Sequence, residues 1–313
     1  MKRTDTLHLA AAALTHPGET GKNNEDNHAL VGYQLESDGR PAVLAVVADG
    51  IGGHRAGEVA SALVVEVLLA ALERFRAGEP LPALRGAMVE AGRAVARAAV
   101  QSPEREGMGS TAAVALVLDR RLYIAAVGDS RIYLLQDGRL QQLTTDHTWV
   151  QEAIDYQVIS PEAARGHPHA HVLRRHLGGS TEPRPDLRLR LAPGESDQQA
   201  EANQGHVLEP GDQVLLCTDG LTDLVDDAEI ADHLTRHAPP AAIEGLMQLA
   251  RARGGFDNIT LVLLAVPAQP PAGRPRPRAG WLVLAVLGLL CGLIALGLAL
   301  GTYIPGWHIG LGR

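Results

Sequence analysis

Residues Ala42–Gly53 read AVLAVVADGIGG, an unbroken apolar run that stops at an aspartate set among glycines. A short apolar run rich in valine and closed by a turn signal is a β-strand pattern. The pattern changes immediately after it. Val64, Val67, Leu68, Ala71, Leu72 and Phe75 recur at three- and four-residue spacing, the mark of an amphipathic helix. Leu84, Met88, Ala91, Val95 and Ala98 mark a second helix. Thr111–Leu118 and Leu122–Val127 then form two apolar runs separated by a few polar residues. A parallel crossover needs a dozen residues or more, so this gap forces an antiparallel hairpin. Ile132–Leu135 and Leu140–Leu143 repeat the arrangement around Asp137-Gly138, a strong hairpin turn. Val214–Cys217 and Ile259–Val266 supply later strands, with helical segments between them over roughly 227–253. Helices mixed with antiparallel strands predict an α+β layered domain, and no internal repeat is visible.

The aspartates fall at the strand ends. Asp49 follows the first run in VVADGIGG, Asp129 follows the hairpin in AAVGDSR, and Asp219 follows a strand in LLCTDGLTD. Asp257 precedes the last strand in GGFDNIT, and Glu25 and Asp26 stand in NNEDN. A carboxylate half-buried at a strand end is costly unless something neutralises it. Any one of these acids is more commonly a turn residue or a helix cap. Together they suggest convergence on a shared cation. All are hard oxygen donors with no recurring cysteine or histidine, a set that selects Mg²⁺ or Mn²⁺ over Zn²⁺. Gly50, Gly52 and Gly53 allow close backbone approach and a carbonyl ligand.

The composition, 46% hydrophobic and 20% charged, permits a sizeable core. The formal charge of 28 − 36 = −8 and the absence of a basic stripe argue against nucleic acid as a partner. Only Cys217 and Cys291 occur, so no disulfide framework is expected. Near Val266 the character changes. Residues 267–280 are Pro- and Arg-rich and read as an extended linker. From Trp281 to Ile304 the chain is WLVLAVLGLLCGLIALGLALGTYI, without a charge and long enough to cross a bilayer. Arg274, Arg276 and Arg278 flank only its N-terminal end, and the positive-inside rule then puts the long N-terminal part in the cytoplasm. The expected layout is a domain over 1–266, the linker, a single-pass transmembrane helix over 281–304 in the cytoplasmic (inner) membrane, and an extracytoplasmic tail over 305–313.

Eight motifs taken in order make the chain recognisable: NNED (23–26), DGIGGHRAGEVAS (49–61), GMGST (107–111), VGDSRIY (127–133), DHTWV (146–150), HVLRRHLGG (171–179), LEPGDQVLLCTDGLTD (208–223) and GGFDNIT (254–260). It resembles the PPM-type, or protein phosphatase 2C, family of metal-dependent serine/threonine phosphatases in its bacterial form. The resemblance implies a four-layer αββα sandwich of two antiparallel sheets flanked by helices. It also implies hydrolysis of phosphoserine and phosphothreonine by a metal-activated hydroxide, reversing the work of a serine/threonine kinase on its substrates. By the same resemblance Asp49 bridges two Mn²⁺ or Mg²⁺ ions, Gly50 offers its carbonyl, Asp219 and Asp257 serve one ion, and Glu25 serves the other. Asp26 orients water, and Asp129 matches a third, weaker metal position. Asn258 and Ser130 are expected as supports.

The departures from the family pattern are local. The arginine that usually binds substrate phosphate falls on Gly21, which leaves Lys22 and Arg55 as candidate replacements. Ile51 stands where some members carry a histidine general acid, so water would protonate the leaving group. The histidines of GHPHAHVLRRH (166–176) lie in the variable flap and are read as flap residues rather than as a metal site.

Overall fold

The computed structural model describes residues 1–52, 56–76, 78–164, 166–179 and 183–268, and these form one compact unit, Met1–Ala268. Its strands are β1 (Lys2–Thr4), β2 (Ala10–His16), β3 (Asn27–Gln34), β4 (Pro41–Ala48), β5 (Gly50–Ile51), β6 (Gly109–Ser110), β7 (Ala112–Leu118), β8 (Arg121–Val127), β9 (Arg131–Gln136), β10 (Arg139–Gln142), β11 (His206–Val207), β12 (Gln213–Cys217) and β13 (Ile259–Ala265). One sheet runs β1-β3-β4-β7-β8-β11 and the other β10-β9-β12-β13-β2, with β5 and β6 as a small separate pair. Every strand pairing is antiparallel.

Period-2 alternation explains the layers. In β4, Val43, Ala45 and Val47 face the second sheet and pack with Ile132, Val214, Leu216 and Val262. Leu44, Val46 and Ala48 face outward and pack under the helices α1 (Ala56–Glu73) and α2 (Pro80–Val100), against Leu68, Leu72, Leu84 and Met88. On the far side Leu215, Cys217, Leu261 and Leu263 meet α7 (Asp227–Arg236) and α8 (Pro239–Ala252) through Ile230, Leu234, Ile243 and Leu246. Both faces of β4 are covered, which is why its sequence is apolar throughout rather than alternating. The expected αββα sandwich is the observed architecture. Four short helices complete it: α3 (Trp149–Asp155), α4 (Pro161–Ala164), α5 (Asp197–Ala202) and α6 (Asp219–Thr222).

Strands β1, β2, β3 and β11 extend the sheets beyond what the pattern predicted. Among the described residues no helix is long and apolar enough to cross a membrane. The apolar stretch 281–304, the tail 305–313 and all but the first two residues of the linker lie outside the described residues.

Candidate metal centre

The acids gather where the two sheets end together. Asp49 leaves β4 and is held at both backbone atoms by one residue: its N–H donates to Thr111 Oγ1 (2.9 Å) and its carbonyl accepts the Thr111 N–H (2.8 Å). The Thr111 hydroxyl also pairs with Ser130 Oγ at 2.7 Å, beside Asp129. Gly50 donates its N–H to the Glu25 carbonyl (3.1 Å), and Ser61 Oγ of α1 donates to the same carbonyl (2.5 Å). A Cβ on Gly57 would lie 2.7 Å from both Glu25 Oε2 and the Gly50 carbonyl oxygen, so glycine is required where α1 begins against them. Those two oxygens therefore occupy one small space.

Asn258 ties the remaining acids in. Its Oδ1 accepts the Glu25 N–H (2.7 Å), while its Nδ2 donates to the carbonyls of Pro17 (3.0 Å) and Asn23 (3.1 Å). The loop that carries Glu25 and Asp26 is thereby fixed beside Asp257. Asp26 is buried, and its Oδ2 accepts the Thr218 hydroxyl at 2.9 Å, one residue before Asp219. Asn258 and Ser130 are thus both supports in this structure, as expected.

The electrostatics of the cluster are unfavourable for the protein alone. Burial pushes the Asp26 carboxyl up to about 7, with Asp219 and Asp257 adding to the rise. Burial also takes Asp219 up to about 7, helped by Asp223 and Asp257. Asp49 is held well above the usual range by burial and then by the charges of Asp219, Asp26 and Asp129. Burial and Asp219 do the same to Asp129, and burial and Asp257 raise Glu25. Asp26 Oδ1 and Asp219 Oδ1 are buried without a hydrogen-bond partner among the described residues. Arg131, whose charge reaches Asp129, is already engaged by Asp146 at 2.7 Å and Tyr133 at 3.0 Å. Crowded carboxylates with orphaned oxygens and, among the described residues, no ion pair to a lysine or arginine fit a site for divalent metal ions, and an all-oxygen donor set fits Mg²⁺ or Mn²⁺.

The structure brings Glu25, Asp26, Asp49, Asp129, Asp219 and Asp257 within reach of one another's charges. Exposed Lys22 is close enough for its charge to oppose the rise at Glu25. Arg55 lies outside the described residues. Gly21, in the position of the usual arginine, sits at φ +75° with open space around it. Two neighbours of the site escaped the sequence reading. His171 Nδ1 lies 3.4 Å from Asp223 Oδ2 and 4.0 Å from Asp219 Oδ2, bringing the flap onto the rim. Asp223 stands four residues after Asp219 in DGLTD, one helical turn on, and that spacing was the available signal. The neighbouring His167 and His169 pack on the Trp149 ring, with centroids at 5.0 and 5.1 Å.

Comparison with known proteins gives a consistent picture. The Protein phosphatase 2C family profile matches residues 16–252. The serine/threonine protein phosphatase PstP of Mycobacterium tuberculosis is 39% identical over 262 residues, covering 83% of this chain but 46% of its own length. The chain thus spans about half the length of that relative. The serine/threonine phosphatase stp of Listeria monocytogenes is 34% identical over 261 residues, covering 82% of this chain and 95% of its own. Among solved structures, the catalytic domain of PstP in complex with two manganese ions superposes with a TM-score of 0.66 at 36% identity, covering 84% of this chain and all of that one (100%).

Proposed function

The chain belongs to the protein phosphatase 2C family, and on that premise we propose that it is a metal-dependent serine/threonine phosphatase acting on phosphorylated proteins. The observation that carries this reading is the gathering of six acids around Asp49, with Glu25, Asp26, Asp49, Asp129 and Asp219 raised in pKa by burial and by neighbouring carboxylates. PstP, its relative, is described with two manganese ions. We assign Asp49, the Gly50 carbonyl, Asp219, Asp257 and Glu25 to two Mn²⁺ or Mg²⁺ ions, and Asp129 to a third. Two such ions lower the pKa of water and neutralise charge on a transferring phosphoryl group.

The remaining roles belong to the chain itself. Thr111 fixes Asp49 at both backbone atoms, which sets the point from which its side chain leaves the end of β4. Asp26, anchored through Oδ2 by Thr218, keeps Oδ1 unpartnered for orienting water. Asn258 holds the Glu25 loop in register with Asp257. Lys22 or Arg55 supplies the donor to substrate phosphate that Gly21 lacks. The physiological partners are then phosphoproteins and the serine/threonine kinase that makes them. Residues 281–304 are a single membrane-spanning helix, with 1–266 as the cytoplasmic catalytic domain, 267–280 as linker and 305–313 outside. The support is the uncharged length of the span and the one-sided arginines.

The full-length chain should hydrolyse a phosphothreonine peptide only with Mn²⁺ or Mg²⁺ present. Equal turnover after exhaustive chelation would sink the mechanism. In the same assay Lys22→Ala or Arg55→Ala should lower kcat/KM by roughly one to two orders of magnitude, the loss of one charge-assisted hydrogen bond. Wild-type kinetics in both variants would leave phosphate to the cations alone. A reporter active only outside the cytoplasm should be silent when fused after Val266 and active after Arg313. The reverse pattern overturns the placement.

A further inference from the structure

His147 is buried, 4% exposed, and every polar group it has is engaged. Its N–H donates to the Gly128 carbonyl (2.9 Å), and its ring Nδ1 accepts the Gly128 N–H (3.0 Å). Both backbone polar groups of Gly128, the residue before Asp129, are thus held by one residue. Because Nδ1 accepts from an amide, the ring proton sits on Nε2, which donates to Asp186 Oδ2 at 3.3 Å. Asp186 is fixed in turn by Arg188 through Nε at 2.9 Å. The His147 carbonyl accepts the Arg174 N–H (2.7 Å), and Trp149 N–H donates to Val172 (2.9 Å), which attaches the return segment of the flap.

The held turn is not one the chain adopts freely. Gly128 lies at φ +103°, and a Cβ there would stand 2.6 Å from Thr111 Cβ. Thr111 is the residue that fixes Asp49. Gly128 is therefore clamped between Thr111 on one side and His147 on the other, with Asp129 next in the chain. We infer that His147, oriented by Asp186, is a positioning residue that sets the Asp129 carboxylate relative to Asp49 and ties it to the flap. It touches no substrate. Its effect should appear as cation affinity at Asp129 rather than as stability alone.

The inference rests on the reading of Asp129 as a metal ligand, and two isosteric substitutions separate the possibilities. In His147→Asn the side-chain oxygen replaces Nδ1 as acceptor for Gly128. In His147→Gln the amide reaches the Nε2 end and leaves Gly128 unserved. Mn²⁺ binding to the full-length chain, followed by the paramagnetic resonance signal of free Mn²⁺, should show a weakest step that Asp129→Asn removes. His147→Gln should weaken that same step on the order of tenfold or more, the usual cost of losing an outer-shell support. His147→Asn should stay within about threefold, since its acceptor is retained. Thermal midpoints of the two variants should fall together. Equal Mn²⁺ affinity in the two variants, with Asp129→Asn impaired, overturns the positioning role and leaves the metal reading standing. Unchanged binding in Asp129→Asn overturns the metal reading, and this role with it. In the wild-type chain the Gly128 amide should exchange slowly with solvent and more slowly still with Mn²⁺. Rapid exchange of that amide also overturns the role.

Discussion

Two groups of carboxylates in this molecule have opposite settlements. Around Asp49 the acids face one another, Arg131 is engaged elsewhere, and burial with mutual repulsion lifts their pKa values. Around Asp186 the chain brings its own cations. Burial alone would raise the Asp186 carboxyl, but hydrogen bonds from His147 and Arg188 outweigh it and hold it well below the usual range. Arg188 reaches on to Asp197 at 2.8 Å, and Arg190 joins the same carboxylate at 2.5 Å. Asp186 sits in a finished structural network, whereas the Asp49 cluster is complete only when charge arrives from outside. Burial of an acid alone does not mark a functional site. Burial without an ion-paired arginine or lysine among the described residues does.

Three experiments press on that contrast. The largest effect belongs to Asp49→Asn. Removing an outer-shell support costs about 10–100-fold, so losing the proposed bridging carboxylate should cost more than about 100-fold in kcat/KM on a phosphothreonine peptide. Denaturant unfolding of the metal-free variant should show no loss of stability, because a repelling charge has gone. A large loss would mean that Asp49 is part of the structural frame. The counterpart, Arg188→Met, should behave oppositely. It leaves Asp186 with His147 and the backbone N–H of residue 188 but no guanidinium, at a cost of about 3 kcal/mol in urea unfolding. A change below about 0.5 kcal/mol would refute the claim that this network is structural.

The third experiment is a pH series. Asp26 and Asp219 rise from an unfolded value of 3.8 to about 7, so the native state holds protons more tightly than the unfolded chain across that window. Their contribution therefore falls as pH rises from about 4 to about 7 in chelated protein. Asp186 is depressed and acts with the other sign: its stabilisation is present above 3.8 and is lost as pH falls below it. Unfolding midpoints in chelator should decline between pH 4 and pH 7, and saturating Mn²⁺ should remove the decline. The same slope with and without Mn²⁺ would show that cations do not neutralise these groups.

The acids of the site were legible because Asp49, Asp129 and Asp219 each follow an apolar strand and stand beside glycine, and Asp257 precedes one, a local pattern that survives without coordinates. The supports were less legible. Thr111, Thr218 and Asn258 act through partners far away in sequence, as when Asn258 bonds Pro17 and Asn23. The sequence puts His171 in the flap, but its contact with Asp223 depends on how the flap folds back. Strand β2, AAAALTH, escaped because alanine has low strand propensity, and pairing along β13 overrides it. Strand β3 was obscured by its polar ends and an internal glycine. Arg55 and the 281–304 span stay where the sequence left them, beyond the described residues.

The pairing of β2 with β13 has a consequence for the newborn chain. Ala10–His16 finds its partner only in Ile259–Ala265. At roughly 5–20 residues per second, a ribosome needs on the order of ten seconds or more to make the intervening stretch. During that interval the second sheet lacks its closing strands, and Asn258 is not yet there to seize the Glu25 loop. A nascent chain thus carries an alanine-rich strand with an unpaired edge. It acquires a closed cation pocket only in the last moments of the domain's synthesis. The cluster around Asp49 therefore stays incomplete until Asp257 and Asn258, near the end of the domain, have been made.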